Sequence, residues 1–324
     1  MTHATAKARA HTNIALVKYW GKENQDLIIP MNNSFSLTLD HFYTDTQVTF
    51  DDKLTADEFI LNGQVKQEQK LFDFMDLVRQ KAQISTFAKI ESVNHVPTAA
   101  GLASSASAYA ALAKAASVAA GLDLTNRQLS CLARRGSGSA CRSIYGGFVE
   151  WLKGQDDETS YAIPFMEQVD WEIQMIAVVV NSQAKKIGSR AGMQTVVATS
   201  PYYDAWVQET KKDIVALKQA IIAKDIDQVG QIAEENAMKM HALNLSASPH
   251  FSYFEPDSLR VMNLVEDLRK QGISCYYTLD AGPNVKIICL KQDTPKIKQA
   301  LTKIVAPEQL LVASPGPGVS LLDY

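Results

Sequence analysis

Cysteine is scarce in this chain: Cys131, Cys141, Cys275 and Cys289 are the only four in 324 residues, and no two form a C-x-x-C pair. With no histidine cluster beside them, they offer neither a zinc site nor a disulfide framework, and a reducing compartment fits. Three of them read as small core residues; Cys141, in a Gly/Ser stretch, reads as partly reachable. Long apolar runs are missing too. The longest, Ile176 to Val180, is far short of a bilayer span. The first ten residues place no apolar run behind their basic residues, so no signal peptide is expected. Nor does one charge dominate: 32 Lys and Arg stand against 35 Asp and Glu, a net −3. That balance gives no basic field for nucleic acid or an acidic membrane surface. A cytoplasmic protein acting on a small molecule is the expectation.

The two common glycine-rich nucleotide signatures are also absent. No G-x-x-x-x-G-K-[ST] occurs, and no G-x-G-x-x-G opens a βαβ unit. What the chain has instead is Pro97-Thr-Ala-Ala-Gly-Leu-Ala-Ser-Ser-Ala-Ser107, a small-residue loop running into an alanine-rich helix. Gly101 frees the backbone there and leaves room for a bulky anion. Ser104, Ser105 and Ser107 fall at the helix start, where unpaired N–H groups favour phosphate. Local sequence alone also permits a plain serine cap on a buried helix.

At 46% hydrophobic and 21% charged residues the composition is that of a globular chain with material for two cores. Strands are expected over Thr12–Tyr19, Ser34–Leu39, Thr46–Phe50, Phe59–Leu61, Phe87–Val93, Phe148–Leu152 and Ile173–Val180. Leu71, Phe74, Met75 and Val78 recur at helical spacing within Gln67–Lys81. Ser105–Ala120, Asn126–Arg134, Ala205–Ala223, Asp225–Met240, Leu259–Lys270 and Thr294–Ile304 read as further helices. Ser274–Leu279, Val285–Leu290 and Gln309–Ala313 complete a second group of strands. Helices over an antiparallel sheet give an α+β sandwich. Gly136–Gly147 reads as a Gly/Ser loop and Ser314–Gly318 as a loosely ordered tail. The boundary between two domains falls between Trp151 and Ile187, placed at 1–182 and 183–324.

Four islands are too polar or too glycine-rich for their surroundings. Lys18 and Lys22 flank the end of an apolar strand in Asn13–Lys22, as solvated ends or as fixed cations for an anion. The loop at 97–107 is the second. Ser137, Ser139 and Arg142 share the third, Gly136-Ser-Gly-Ser-Ala-Cys-Arg142, and a forked guanidinium suits phosphate or carboxylate. Asp280 ends an apolar strand in Leu279-Asp-Ala-Gly-Pro-Asn-Val-Lys286, as a turn former or as a carboxylate facing a cleft. A basic run, Lys185-Lys-Ile-Gly-Ser-Arg190, offers Ser189 as a helix cap.

Taken in order, NIALVKYWGK (13–22), PTAAGLASSAS (97–107), GSGSACRSIYGGFVEW (136–151), the Ser189–Arg190 pair, MHALNLSASP (240–249) and LDAGPNVK (279–286) closely resemble the diphosphomevalonate decarboxylases, within the GHMP superfamily of small-molecule kinases. The resemblance spans nearly the whole chain. It implies a GHMP two-domain fold, an N-terminal domain like ribosomal protein S5 domain 2 and a ferredoxin-like C-terminal domain, and a homodimer. It implies ATP as co-substrate and Mg2+. Asp280, Lys18 and Arg142 match catalytic positions around the substrate's tertiary hydroxyl and carboxylate. Tyr19, Lys22, Ser139 and Arg190 match substrate contacts. Pro97, Ala100, Gly101, Leu102, Ala103, Ser104, Ser105, Ser107, Lys185 and Ser189 match nucleotide contacts, with Ser105 on the metal. Adenine contacts carry no sharp motif. A kinase of the same fold that stops after phosphorylation, a non-catalytic binding protein and a preference for the monophosphate remain as rival readings.

Overall fold

The computed structural model describes residues 4–96, 104–181, 183 and 187–323. In chain order the first half runs β1 (Ala4–Val17), β2 (Lys22–Asn24), β3 (Ile29–Pro30), β4 (Ser34–Phe50), β5 (Glu58–Leu61), β6 (Gln64–Lys66), α1 (Gln69–Ala82), β7 (Ala88–Asn94), α2 (Ser104–Ala119), α3 (Asn126–Gly136), β8 (Phe148–Trp151) and β9 (Ala162–Met166). The second half continues with β10 (Ile173–Val178), α4 (Ser189–Thr199), α5 (Tyr203–Ile222), α6 (Ile226–Ser246), α7 (Pro256–Lys270), β11 (Cys275–Leu279), β12 (Val285–Leu290), α8 (Thr294–Leu301), β13 (Leu310–Ala313) and β14 (Ser320–Leu321).

Two sheets organise the chain. The larger runs β14-β1-β4-β7-β5-β6, with β8 and β9 continuing from β4. The smaller is antiparallel, β11-β12-β10-β13. Thus β10, which lies before residue 182, pairs with β12 and β13 of the second sheet, and β14 returns to pair with β1. No helix among the described residues is long and apolar enough to cross a membrane.

Side-chain alternation explains how the layers stack. One face of the large sheet buries Ala6, Ala8, Ala10 and Val48 under α1, α2 and α3. The small side chains of α2, with Ala110, Ala111, Ala113, Ala115 and Ala116 all fully buried, let its backbone approach that sheet closely. In β10, Ile173, Met175 and Ala177 face a core shared with Ile14, Leu16, Phe35 and helices α5 and α6. The intervening Ile176 and Val178 face α7 and α8, as a period of two requires. The shared core joins the two sheets directly.

Several sequence expectations change. Ser34–Leu39 and Thr46–Phe50 belong to one strand, which bulges between Thr38 and Tyr43, where Asp40 and His41 turn to solvent, and resumes its pairing with β1 on either side. Gly136–Gly147 is not a flexible loop: Gly138–Ile144 forms a 3₁₀ helix whose described core includes Cys141 at 0% exposure, so that thiol is not reachable. Cys131, expected in a core, is only half-buried. The tail 314–318 is tightly held. Asp40 N–H donates to Ser314 O, Gly316 N–H to Thr38 O and Gly147 N–H to Gly316 O. A Cβ at Gly316 would meet the backbone of Leu39 and Asp40 at 2.5 Å, so glycine there closes the strand against the tail.

Candidate active site

The end of β1 carries the chain out of the large sheet and against the helices of the second half. Asn236 on α6 accepts from Lys18 N–H at 2.8 Å, Asn244 accepts from Trp20 Nε1 at 3.0 Å, and Tyr203 on α5 donates to Trp20 O at 2.7 Å. Gly21 follows at φ +135°, where a Cβ would overlap the Tyr203 hydroxyl. The path of residues 18–22 is therefore fixed by side chains far along the chain.

Lys18, expected at a strand end, is 1% exposed. Its ammonium donates to Ala15 O at 2.8 Å and to Asp280 Oδ1 at 2.8 Å. The other Asp280 oxygen lies 3.3 Å from Lys286 Nζ. Burial pushes the Asp280 carboxyl up, but the two ammoniums outweigh it and hold the group well below the usual carboxylate range. Its side chain keeps 23% exposure, so one side remains open. Arg142, 2% exposed, comes in from the 3₁₀ helix. Asn13 Oδ1 accepts from its Nε at 3.1 Å and Ser34 Oγ from Nη1 at 2.6 Å. Two register slips in β1, between His11 and Asn13 and between Ala15 and Val17, accompany this placement. Among the described residues no carboxylate forms an ion pair with Arg142, although Asp280 is close enough to favour its charge. Burial lowers the pKa of both Lys18 and Arg142. Asp280, Lys18 and Arg142 thus meet around one small volume: three cations, counting Lys286, against one carboxylate.

A second group lies next to it. Tyr19 sits edge-on to Trp151 at 4.7 Å, and its buried hydroxyl has no hydrogen-bond partner among the described residues. Lys22 is 9% exposed, its pKa lowered by burial and by Arg190. Arg190 stands in the first turn of α4, whose cap is Gly188, not Ser189, so the first N–H groups of that helix carry no side-chain cap. Lys70 on α1 joins them. Lys70 is exposed overall, but its ammonium lies 4.9 Å from the Tyr109 ring centre; partial desolvation there, with Arg190 and Lys22, brings its pKa down to about 8. An orphaned hydroxyl beside three mutually repelling cations is an arrangement that an anion stabilises.

The start of α2 borders a cleft of about 330 Å³ lined by Phe59, Leu61, Leu71 and Leu112, with Asn94, Ser92, Ser104 and Ser105 as polar edges. Ser105 Oγ lies 3.2 Å from Ser137 Oγ, which lies 3.5 Å from Ser139 Oγ. This chain of hydroxyls runs from the cleft toward Arg142. Ser107 does not take part. It is fully buried, with its Oγ 2.8 Å from Thr44 Oγ1, so it ties α2 to β4 instead of facing the cleft. Pro97, Ala100, Gly101, Leu102, Ala103 and Lys185 lie outside the described residues. Among the described residues no group of three His, Cys, Asp or Glu could hold a metal ion. The exposed oxygen of Ser105 beside phosphate-seeking N–H groups suits a magnesium ion that keeps phosphate and water ligands.

Sequence reasoning missed Asn13, Ser34, Lys70, His241 and Lys286. Asn13, His241 and Lys286 lie inside the matched stretches; Lys70 sits on an amphipathic helix, where one lysine looks like any other.

Known proteins repeat this architecture. Residues 10–162 match the model of the diphosphomevalonate decarboxylase-like N-terminal domain, and residues 175–314 that of the mevalonate 5-diphosphate decarboxylase C-terminal domain. The diphosphomevalonate decarboxylase of Bos taurus is 35% identical over 323 residues, covering 92% of this chain and 80% of that one. The crystal structure of mevalonate diphosphate decarboxylase from Staphylococcus aureus superposes with a TM-score of 0.95 at 48% identity, covering 98% of each chain. A complex of MDDEF with MVAPP, AMPPCP and magnesium superposes with a TM-score of 0.94 at 50% identity, covering 99% of each chain.

Proposed function

The chain belongs to the diphosphomevalonate decarboxylase family, and on that footing we propose that it catalyses the ATP-dependent decarboxylation of (R)-5-diphosphomevalonate to isopentenyl diphosphate, with release of ADP, phosphate and CO2. The observation that carries this reading is the meeting of Lys18, Arg142 and Asp280 in one buried space, with an open side on the carboxylate.

The apolar cleft takes the adenine, its walls being Phe59, Leu61, Leu71 and Leu112. The first N–H groups of α2, with the Ser104 and Ser105 hydroxyls, hold the phosphates. Magnesium, when bound, offsets phosphate charge during transfer, with Ser105 as its protein ligand. Tyr19, Lys22 and Arg190 take the substrate diphosphate, with Ser139 beside it, and Lys70 neutralises phosphate charge between the two ligands. Ser189 and Lys185 add a hydroxyl and a cation for the nucleotide phosphates.

Asp280 accepts a hydrogen bond from the tertiary hydroxyl and so aims the hydroxyl oxygen at the γ-phosphorus. Its low basicity means that it takes the proton late, as the new P–O bond forms. Arg142 grips the substrate carboxylate with the side of its guanidinium left free by Asn13 and Ser34, and fixes the plane of that group. Once the C3–O bond breaks and phosphate leaves, the electron pair of the C–CO2 bond closes the alkene and CO2 departs. The buried walls keep water from trapping the positive charge at C3. A homodimer in the cytoplasm remains part of the proposal.

An ADP-coupled assay across mevalonate, its 5-phosphate and its 5-diphosphate, with product mass, tests the reading. Turnover of the diphosphate to isopentenyl diphosphate is expected. A product that keeps its carboxylate, or faster turnover of the monophosphate, contradicts it.

A further inference from the structure

Lys286 sits on β12 at 0% exposure, between Val285 and Ile287, where the strand is otherwise apolar. Lysine is almost never fully buried unless paired. Its ammonium donates to Asn284 O at 3.1 Å and reaches Asp280 Oδ2 at 3.3 Å. Lys18, from the other sheet, donates to Ala15 O and to Asp280 Oδ1, each at 2.8 Å. Each oxygen of the carboxylate therefore has its own ammonium, and each ammonium is tied to a backbone carbonyl.

One cation suffices to keep a carboxylate ionised. The second becomes necessary if the first changes partner. Lys18 lies close enough to Arg142 for the two charges to repel, and it is drawn to an incoming substrate carboxylate. An Asp280 left without a counter-ion in that setting would be driven to take up a proton. Lys286, anchored on a central strand, cannot follow Lys18. The remaining groups facing Asp280 do not replace it. His241 on α6 is fully buried and kept neutral, its pKa brought down to about 3 by burial and then by Lys18. Arg142 on the 3₁₀ helix is committed to Asn13 and Ser34 on its inner side.

We infer that Lys286 is a positioning residue: the fixed counter-ion that keeps Asp280 ionised and oriented while Lys18 turns to the substrate. The inference rests on the reading of Asp280 as the reacting carboxylate.

The test is Lys286→Met, which keeps the stem and removes the charge, assayed with diphosphomevalonate, ATP and Mg2+ from pH 5 to 9. A fall in kcat of about 10- to 100-fold is expected, with the KM for ATP within about twofold, and the loss deepens toward pH 5 as Asp280 takes up a proton. Wild-type kcat at every pH overturns the inference. Asp280→Asn, measured in parallel, separates the two claims: if it keeps kcat, the reading of Asp280 itself fails. Should K286M not fold alone, melting of D280N and of D280N/K286M decides. With the carboxylate gone, Lys286 is an uncompensated buried charge, so the double variant is expected to melt above D280N. A double variant that melts at or below D280N means that Lys286 only fills space, and overturns the inference.

Discussion

Lys18 Nζ meets Asp280 Oδ1 at 2.8 Å across 262 residues of chain, and the contact joins the residue that follows β1 in one sheet to the residue that follows β11 in the other. Neither residue can keep its place without the other half of the molecule. Asp280→Asn keeps the shape and removes the negative charge. We expect it to bind diphosphomevalonate with nearly unchanged affinity and to lose about 10²- to 10⁴-fold in kcat. Isothermal calorimetry with the substrate and a steady-state ADP assay measure the two quantities.

Asn13 is expected to matter as much as a residue that touches substrate. It accepts from Arg142 Nε at 3.1 Å and donates to Ser143 Oγ at 2.8 Å and to Ser139 O at 3.0 Å. One side chain thus fixes both the guanidinium and the segment that carries it. A hydrogen bond to a charged group contributes about 1.5–3 kcal/mol, so Asn13→Ala should cost roughly tenfold to a hundredfold in kcat/KM for diphosphomevalonate. The KM for ATP, read in the same assay, should change little.

Lys70 gives the site a pH dependence on the alkaline side. With a pKa brought down to about 8, it loses its proton in the free enzyme as pH rises from 7 to 9. Bound phosphate restores the charge, so binding takes up a proton there. Nucleotide affinity should fall by about tenfold between pH 7 and 9 on this account. Lys70→Met should bind more weakly at pH 7 and show a flatter profile. Fluorescence titration of an ATP analogue at the two pH values checks both.

His241 works in the opposite direction, on stability. Its folded pKa is about 3 against an ordinary value of 6.5, because burial and Lys18 disfavour the imidazolium. The unfolded chain therefore binds the extra proton between those values, and stability drains away as pH falls through that window. The contribution is about 1.4 kcal/mol per pH unit. Asp280 adds acid sensitivity only lower, below the ordinary carboxylate range. Urea unfolding at pH 7 and 5 should show wild type losing more stability than His241→Gln over the same step.

The fold was legible wherever one periodicity ran unbroken. Leu71, Phe74, Met75 and Val78 mark α1, and all four are buried against the sheet. Glycine and serine misled twice. In 138–144 they allow tight 3₁₀ packing under Trp151, with a Cβ at Gly138 only 2.9 Å from its ring. In 314–318 they allow backbone to lie on backbone. Composition alone reads both as loose. The strand β9 escaped because Pro164 interrupts it; it is paired only with β8, where a missing N–H is tolerated. Around the proposed reacting centre, Lys18, Arg142 and Asp280 stood out as charges in apolar or glycine-rich settings. Lys70 and Asn13 did not, because their meaning lies in what folds against them, and no local pattern carries that.

The most direct test of the account is stoichiometry. Wild-type protein is given ATP, Mg2+ and diphosphomevalonate labelled in its carboxyl carbon, and ADP, phosphate and labelled CO2 are counted together. Equal amounts of all three, with the label lost from the organic product, are predicted. ADP formed without CO2 and with the label retained would leave a kinase in place of a decarboxylase and contradict the central claim.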